Sequence, residues 1–363
     1  MTASIVRPKG ILLIALAITV STAAIASRAA EPTGKRDARS LAALIDQEIE
    51  ARLAVAKGKT AGPATDAEFV RRAYLDLHGT IPPVDRVIAF FDSNDPDKKA
   101  KLIDELLADS QFGAFMADIW SQLLVPPRDT QNRAPVWLLR PWLEEQFNQN
   151  KAWDRLAFEM LTAAGEDPKQ NPATVYWMND SGVLSPAEVT DLVVPLFLGV
   201  RIQCAQCHDH PFADRWKKAD YWGVAAFFTR LKRGRGVVET AGLVEDPKVK
   251  PVLPATAKLM PPKFPQGPQA QLEADGPYRP AIAAWATARD NPFFTRAMVN
   301  RTWAHLFGQP GGRSGQRAIP SGVAGGPRRS VRGEWFRPEI PHPGRLQQPG
   351  LPAQQPSRGR QRA

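Results

Sequence analysis

The succession of short apolar segments with helical spacing is the feature that most constrains the fold of this chain. Between residues 38 and 232, apolar side chains recur every three or four positions, and Gly, Pro or capping residues interrupt them. Such spacing places the apolar side chains on one face of a helix, where they can pack against a core. We therefore expect a mainly α-helical fold, with a small β-hairpin or extended arm and then the start of a second helical domain.

Two capping boxes mark the starts of predicted helices. Thr65 is followed by Glu68, and Ser185 is followed by Pro186 and by Glu188. In each box the hydroxyl and the carboxylate bind backbone N–H groups that the first helical turn leaves without partners. The apolar spacing predicts further helices over residues 38–57, 84–92, 97–107, 112–124, 136–148, 153–164, 189–200, 220–231, 280–289 and 292–307.

The chain begins with the pattern of a secretory signal. Residues 1–30 carry Arg7 and Lys9 before an apolar stretch, and small residues follow it at Ala24–Ala26 and Ala29–Ala30. A basic start, an apolar centre and an A-x-A-type cleavage site are typical of a signal peptide. We therefore expect an extracytoplasmic protein, in the periplasm or at the cell surface, with no membrane span after cleavage.

The carboxyl-terminal third changes composition twice. Residues 233–278 are rich in Val, Pro and Gln, which favours a β-hairpin or extended arm and then a Pro-rich linker. Residues 279–309 regain helical spacing and predict the start of a second, truncated domain. The last segment, 310–363, has no apolar periodicity and holds ten Arg, two Glu and no Lys.

The basic charge of the chain lies almost entirely in that last segment. It carries +8 of the formal net charge of +10, so the body shows no basic stripe and we expect no specific nucleic-acid partner. Advanced by one base with suitable codons, Ile319–Pro327 reads S-H-P-E-L-L-E-A-L, an amphipathic string. We therefore expect residues 310–363 to be a frameshifted, disordered tail that replaces the rest of the second domain.

One motif carries recognisable chemistry. Cys204, Ala205, Gln206, Cys207 and His208 form C-x-x-C-H, the attachment pattern of c-type haem. Two thiols one helical turn apart can each add to a vinyl group of one porphyrin, and the adjacent imidazole can bind the iron. The motif predicts haem c held by Cys204 and Cys207, with His208 as an axial ligand. The expected role is redox or electron transfer, with a redox partner protein.

Other interpretations of the same residues stay open. The chain has two cysteines in all, and in an oxidising compartment Cys204 and Cys207 can close a disulfide. Together with His208 and His210 they can instead bind zinc, although two histidines two positions apart need an irregular loop to reach one tetrahedral ion. The protein would then be a non-redox surface or polysaccharide-processing module, with the cysteine pair as a staple. A structural site without cofactor is a further alternative.

Other polar residues of the chain are given supporting roles. Asp209 and Asp214 are expected either to cap the loop after the motif or to orient an imidazole. His78, just before Gly79, is predicted to lie at the carboxyl end of a helix. His305 is expected to pack between helices.

Three stretches resemble a large planctomycete-type family of secreted proteins whose activity is not established. Residues 69–83 (F-V-R-R-A-Y-L-D-L-H-G-T-I-P-P) and 197–212 (F-L-G-V-R-I-Q-C-A-Q-C-H-D-H-P-F) are similar to its DUF1549 domain. Residues 291–308 (N-P-F-F-T-R-A-M-V-N-R-T-W-A-H-L-F-G) are similar to the start of the DUF1553 domain that follows it. The resemblance implies a DUF1549-like domain over 38–232 and a truncated DUF1553-like domain over 279–309. It implies no reaction, so whether the protein is an enzyme stays open.

Overall fold

A computed structural model describes residues 37–58, 62–125, 136–179, 182–211, 213, 215–235, 242–253, 256–273 and 275–308. The predicted signal peptide and the predicted frameshifted tail lie outside these residues. Both therefore stay predictions.

Helices make up most of the described chain, as the apolar spacing predicts. They are α1 (Ala38–Val55), α2 (Asp66–His78), α3 (Val84–Asp92), α4 (Lys98–Ala108), α5 (Ser110–Leu124), α6 (Val136–Asn148), α7 (Trp153–Thr162), α8 (Pro186–Val193), α9 (Lys218–Ala225), α10 (Arg279–Thr287) and α11 (Phe294–Phe307). The mainly α-helical fold class is thus confirmed. No helix among the described residues has the length and apolar character needed to cross a bilayer.

The predicted capping signals form in the structure. The Thr65 hydroxyl accepts the Glu68 N–H at 3.3 Å, and the Glu68 carboxylate accepts the Thr65 N–H at 2.8 Å. Ser185 and Glu188 make the same two bonds at 3.3 and 2.8 Å. Gly79 ends α2 with a φ of +69°, a conformation that glycine adopts without strain. These local signals fix where α2 and α8 begin and where α2 ends.

The helix predicted over 189–200 is only partly α-helical. After α8 the chain widens into a π-type turn over Val194–Leu198. Pro195 lies in this turn and has no N–H for an α-helical bond, which accounts for the change of pitch. Gly199 then takes a φ of +67°, and a Cβ there would lie 3.0 Å from the Cβ of Ala297 on α11. The exit from α8 therefore depends on glycine for both conformation and space.

Two short antiparallel hairpins accompany the helices. Strand β1 (Met178–Asn179) pairs with β2 (Gly182–Val183), and β3 (Leu231–Arg233) pairs with β4 (Leu243–Glu245). The second hairpin begins at Leu231, at the end of the segment predicted to be helical over 220–231. Residues 237–240 of the predicted hairpin or arm lie outside the described residues. The predicted arm continues as irregular chain, with isolated bridges between Val252 and Leu259 and between Lys263 and Gln269.

One aromatic core joins the elements from α5 to α11. Trp177, Phe197 and Tyr221 are fully buried in it, and α10 and α11 add Ile282 and Phe294. The two helices that the sequence assigns to the start of a second domain thus pack into the same core as the motif-bearing segment. A smaller cluster joins α2, α3 and α4.

A buried ion pair fastens α10 and the β3–β4 hairpin to α7. The side chain of Arg279 is 1% exposed, and its Nε pairs with a carboxylate oxygen of Glu245 on β4. Its Nη1 donates to the Ala163 carbonyl at 2.6 Å, just beyond α7. Burial lowers the pKa of Arg279, and Glu245 opposes that effect. A buried guanidinium is tolerated here because it has both a carboxylate and a carbonyl as partners.

Arg279→Ala is expected to lower the free energy of unfolding by about 3–5 kcal/mol, because Glu245 would remain buried without its cation. Arg140→Ala is the matched control, since Arg140 pairs with Asp118 and Glu144 at the surface. Such pairs contribute about 0–1 kcal/mol. Urea denaturation followed by tryptophan fluorescence measures both losses, and equal losses would contradict this account.

Candidate functional site

The C-x-x-C-H motif lies on a tight turn between α8 and α9. Gln203–Gln206 form one turn of 3-10 helix. The N–H groups of Cys207 and His208 both approach the Cys204 carbonyl at 3.4 Å. The two cysteines are therefore one helical turn apart, as their spacing predicts.

The residues between and before the cysteines decide which way the thiols face. Ala205 is 0% exposed and Ile202 is 2% exposed, and both belong to the aromatic core. Because these side chains point inward on so short a turn, Cys204 and Cys207 are left on the solvent side. Both thiols are exposed and unbonded to each other.

The indole of Trp222 holds the turn against α9. Its Nε1 donates to the Gln206 carbonyl at 2.9 Å. The neighbouring Tyr221 hydroxyl lies 3.1 Å from Asp191 Oδ1 and 3.2 Å from the Ala187 carbonyl, both on α8. The turn is thus closed by two helices that are bound to each other. The sequence shows Trp222 and Tyr221 as helix residues but gives no sign of these contacts.

Burial changes the acidity of the two groups that join α8 to α9. It raises the pKa of Asp191, and it raises the pKa of Tyr221, to which the nearby Asp191 carboxylate adds. Tyr221 therefore keeps its proton at neutral pH and remains a hydrogen-bond donor to α8.

The imidazole of His208 is exposed and oriented by the backbone of the next residue. Its Nδ1 lies 2.7 Å from the Asp209 carbonyl. Since a carbonyl oxygen only accepts, Nδ1 carries the proton and Nε2 carries the free lone pair. Metal-ligating histidines typically have this arrangement, in which one ring nitrogen donates to a carbonyl and the other is left for the metal.

The loop after the motif is closed by backbone hydrogen bonds. The His210 N–H donates to the Trp216 carbonyl at 2.9 Å, and the Lys218 N–H donates to Asp209 Oδ1 at 2.9 Å. Lys217 lies 3.3 Å from the other carboxylate oxygen of Asp209. The hydrogen bond from the Lys218 N–H lowers the pKa of the Asp209 carboxyl, and the Lys217 side chain lowers it further. The Asp209 carboxylate thus caps the loop, while its carbonyl orients His208. Asp214 lies outside the described residues.

The surface beside the turn is rich in cations. Arg201, Arg215, Lys217 and Lys218 are all exposed within this stretch of chain. Asp209 offsets part of this charge. An anionic group placed on the turn would therefore find opposite charge near it.

The four residues of the zinc alternative are not gathered around one point. Across the described ranges, no group of three or more His, Cys, Asp or Glu side chains is placed to hold a metal ion. His208 Nδ1 is bound to the Asp209 carbonyl, and the backbone of His210 is bound into the following loop.

The other two histidines that the sequence singles out connect helices. His78 is buried at the last position of α2, and its Nε2 donates to the Leu106 carbonyl on α4 at 2.9 Å. His305 on α11 donates from Nε2 to the Asp76 carbonyl on α2 at 2.8 Å. Both act as structural links, far along the chain from the motif.

Fold and site together define a mainly helical protein that presents a C-x-x-C-H turn at its surface. The family model described as "Protein of unknown function (DUF1549)" matches residues 44–233. A second, described as "Protein of unknown function (DUF1553)", matches residues 278–311. The first match covers more than half of the 363 residues, so the chain belongs to the DUF1549 family. No curated protein and no solved structure matches it.

Trp222→Phe is expected to speed amide hydrogen exchange at residues 203–209 and to lower stability by about 1 kcal/mol, because the Gln206 carbonyl loses its donor. Trp285→Phe is the matched control, since Trp285 makes ring contacts with Phe264 and Phe293 and no hydrogen bond to residues 203–209 in the described part of the chain. Hydrogen exchange read by mass spectrometry compares the two. Unchanged exchange at the turn in Trp222→Phe would show that the indole does not hold it.

Proposed function

We propose that the turn carries a covalently attached haem c in an exported protein, with a redox or electron-transfer role. Cys204 and Cys207 would form the two thioether bonds, and His208 would be an axial ligand. The observation that carries the proposal is the combination of two exposed thiols on one turn with an imidazole whose Nδ1–H is already bound by a carbonyl.

The residues present fit that group in chemistry. The thiols are unbonded and solvent-facing, as thioether formation requires, and His208 Nε2 has the free lone pair that iron binds. Haem also carries two propionate groups, and Arg215, Lys217 and Lys218 supply exposed positive charge beside the turn. When bound, haem supplies one-electron redox chemistry. This chain would anchor the group, orient its ligand and leave it open to solvent.

The exposure of the turn favours exchange with a partner protein. Both thiols lie on the solvent side, so a group attached to them would keep an edge accessible to an approaching surface. The exposed cations beside the turn favour an acidic partner, because opposite charge speeds encounter at low salt.

Full-length chain produced with the haem-attachment machinery is expected to be coloured and to stain for haem on a denaturing gel. Cys204→Ser and Cys207→Ser should each remove one thioether and so weaken or abolish the stain, because a single bond holds the group less securely. A colourless wild-type protein from a host that matures a control cytochrome would contradict the proposal.

A pair of histidine variants separates iron from zinc. His208→Ala should change or abolish the haem spectrum, because the Asp209 carbonyl orients its ring as a ligand. His210→Ala should leave the spectrum as in the wild type, because His210 lies outside the C-x-x-C-H motif. If the site binds zinc instead, metal analysis should find zinc in the wild type and a loss in both variants.

The second candidate is a non-redox surface or polysaccharide-processing module with the cysteine pair as a staple. Two exposed thiols one turn apart are also placed to close a disulfide in an oxidising compartment. Thiol titration and metal analysis of the exported protein would then find a disulfide or zinc, and Cys204→Ser would lower stability without loss of colour. Among the described tryptophans, Trp120, Trp153, Trp177 and Trp216 are buried and so are not placed to stack on a sugar. Trp137 is 63% exposed, and one exposed ring gives polysaccharide stacking little support.

Export is tested by the mature amino terminus. Expressed in full, the chain is expected in the extracytoplasmic fraction, beginning at Ser27 or Glu31 after removal of the predicted signal peptide. Amino-terminal sequencing and fractionation measure this. Intact chain that begins at Met1 in the cytoplasm would contradict it and would remove the compartment that haem attachment needs.

A further inference from the structure

A cavity lies among α5, the end of α6, the start of α7 and α11. None of its lining residues belongs to the C-x-x-C-H turn. Its volume is about 80 Å³, and one water needs roughly 10–15 Å³ by the same measure, so the space holds several waters or part of a small molecule. Trp120, Trp153, Met116 and Met298 form apolar walls, and Arg301 and Thr302 add polar groups from α11.

Arg301 is the polar group that gives this cavity its chemical character. Its Nη1 donates to the Leu196 carbonyl at 2.9 Å, and its guanidinium lies 5.3 Å from the centre of the Trp120 ring. Among the described residues it has no carboxylate partner. Burial accordingly lowers the pKa of Arg301. A partly buried cation without a counter-charge gains from any anion that reaches it.

The other cation of the cavity is already neutralised. Lys151 Nζ lies 2.5 Å from Glu159 Oε2 and 2.7 Å from Gln146 Oε1. Its charge is therefore taken up by the protein itself. Arg301 is left with guanidinium N–H groups beyond the one that Leu196 accepts, because guanidinium has five donors in all.

We propose that this cavity binds a small carboxylate with an aromatic or branched apolar body. The carboxylate would pair with the Arg301 guanidinium, whose planar fork matches its two oxygens. The apolar body would pack against Trp120, Trp153 and the two methionines. The site is independent of the C-x-x-C-H turn, so it stands whether or not that turn carries haem.

The test is calorimetric titration of the full-length protein with benzoate and with benzyl alcohol, which has the same ring without the charge. Benzoate should bind about tenfold more tightly or better, since a charge-assisted pair adds to ring burial. Arg301→Gln should remove this preference. Arg296→Gln, at an exposed position of the same helix, should keep it.

Each outcome decides the proposal. Equal affinity for the two probes, no benzoate binding, or an undiminished preference in Arg301→Gln would overturn it. If circular dichroism shows that Arg301→Gln does not fold, the comparison of benzoate with benzyl alcohol on the wild type decides alone, because it needs no variant. Benzoate should also change the fluorescence of the wild-type tryptophans in the same concentration range, since two of them line the site.

Discussion

The inward packing of Ala205 sets the geometry of the whole candidate site. Its methyl group is fully buried, and Ile202 beside it is nearly so. On a single 3-10 turn, the buried residue between the two cysteines points inward, and both thiols therefore face solvent. The same packing keeps Cys204 and Cys207 within one turn of each other. The chemistry of the motif therefore depends on an apolar contact, and the thiols are presented by the core below them.

That core is completed by the short second-domain segment. Ala297 on α11 approaches Gly199 so closely that a Cβ there would lie 3.0 Å from the Ala297 Cβ, and Arg301 on the same helix donates to the Leu196 carbonyl at 2.9 Å. Both contacts lie just before the turn. Arg279 on α10 fixes the hairpin in a similar way, through Glu245 and the Ala163 carbonyl. The matched DUF1553 segment thus packs on the DUF1549 domain, with Phe294 in the aromatic core and Val299 against Ile45 of α1.

Local signals made much of this fold predictable. The capping boxes at Thr65 and Ser185, and the period of the apolar residues, act over a few positions and are visible in the sequence. The apolar spacing predicts an ordinary helix through Pro195, whereas the structure has a π-type turn after α8. The bond from Trp222 to the Gln206 carbonyl, and the cavity around Arg301, join residues far apart in the chain. Such contacts follow from packing, which no local pattern records.

The most direct measurement is the intact mass of the exported protein under denaturing conditions, after treatment with a thiol-alkylating reagent. The account predicts a single species that carries the added mass of one haem and takes up no alkyl group, because both sulfurs are in thioether bonds. A species of unmodified mass that takes up two alkyl groups, with or without prior reduction, would contradict it, provided that a control cytochrome from the same cells carries its haem.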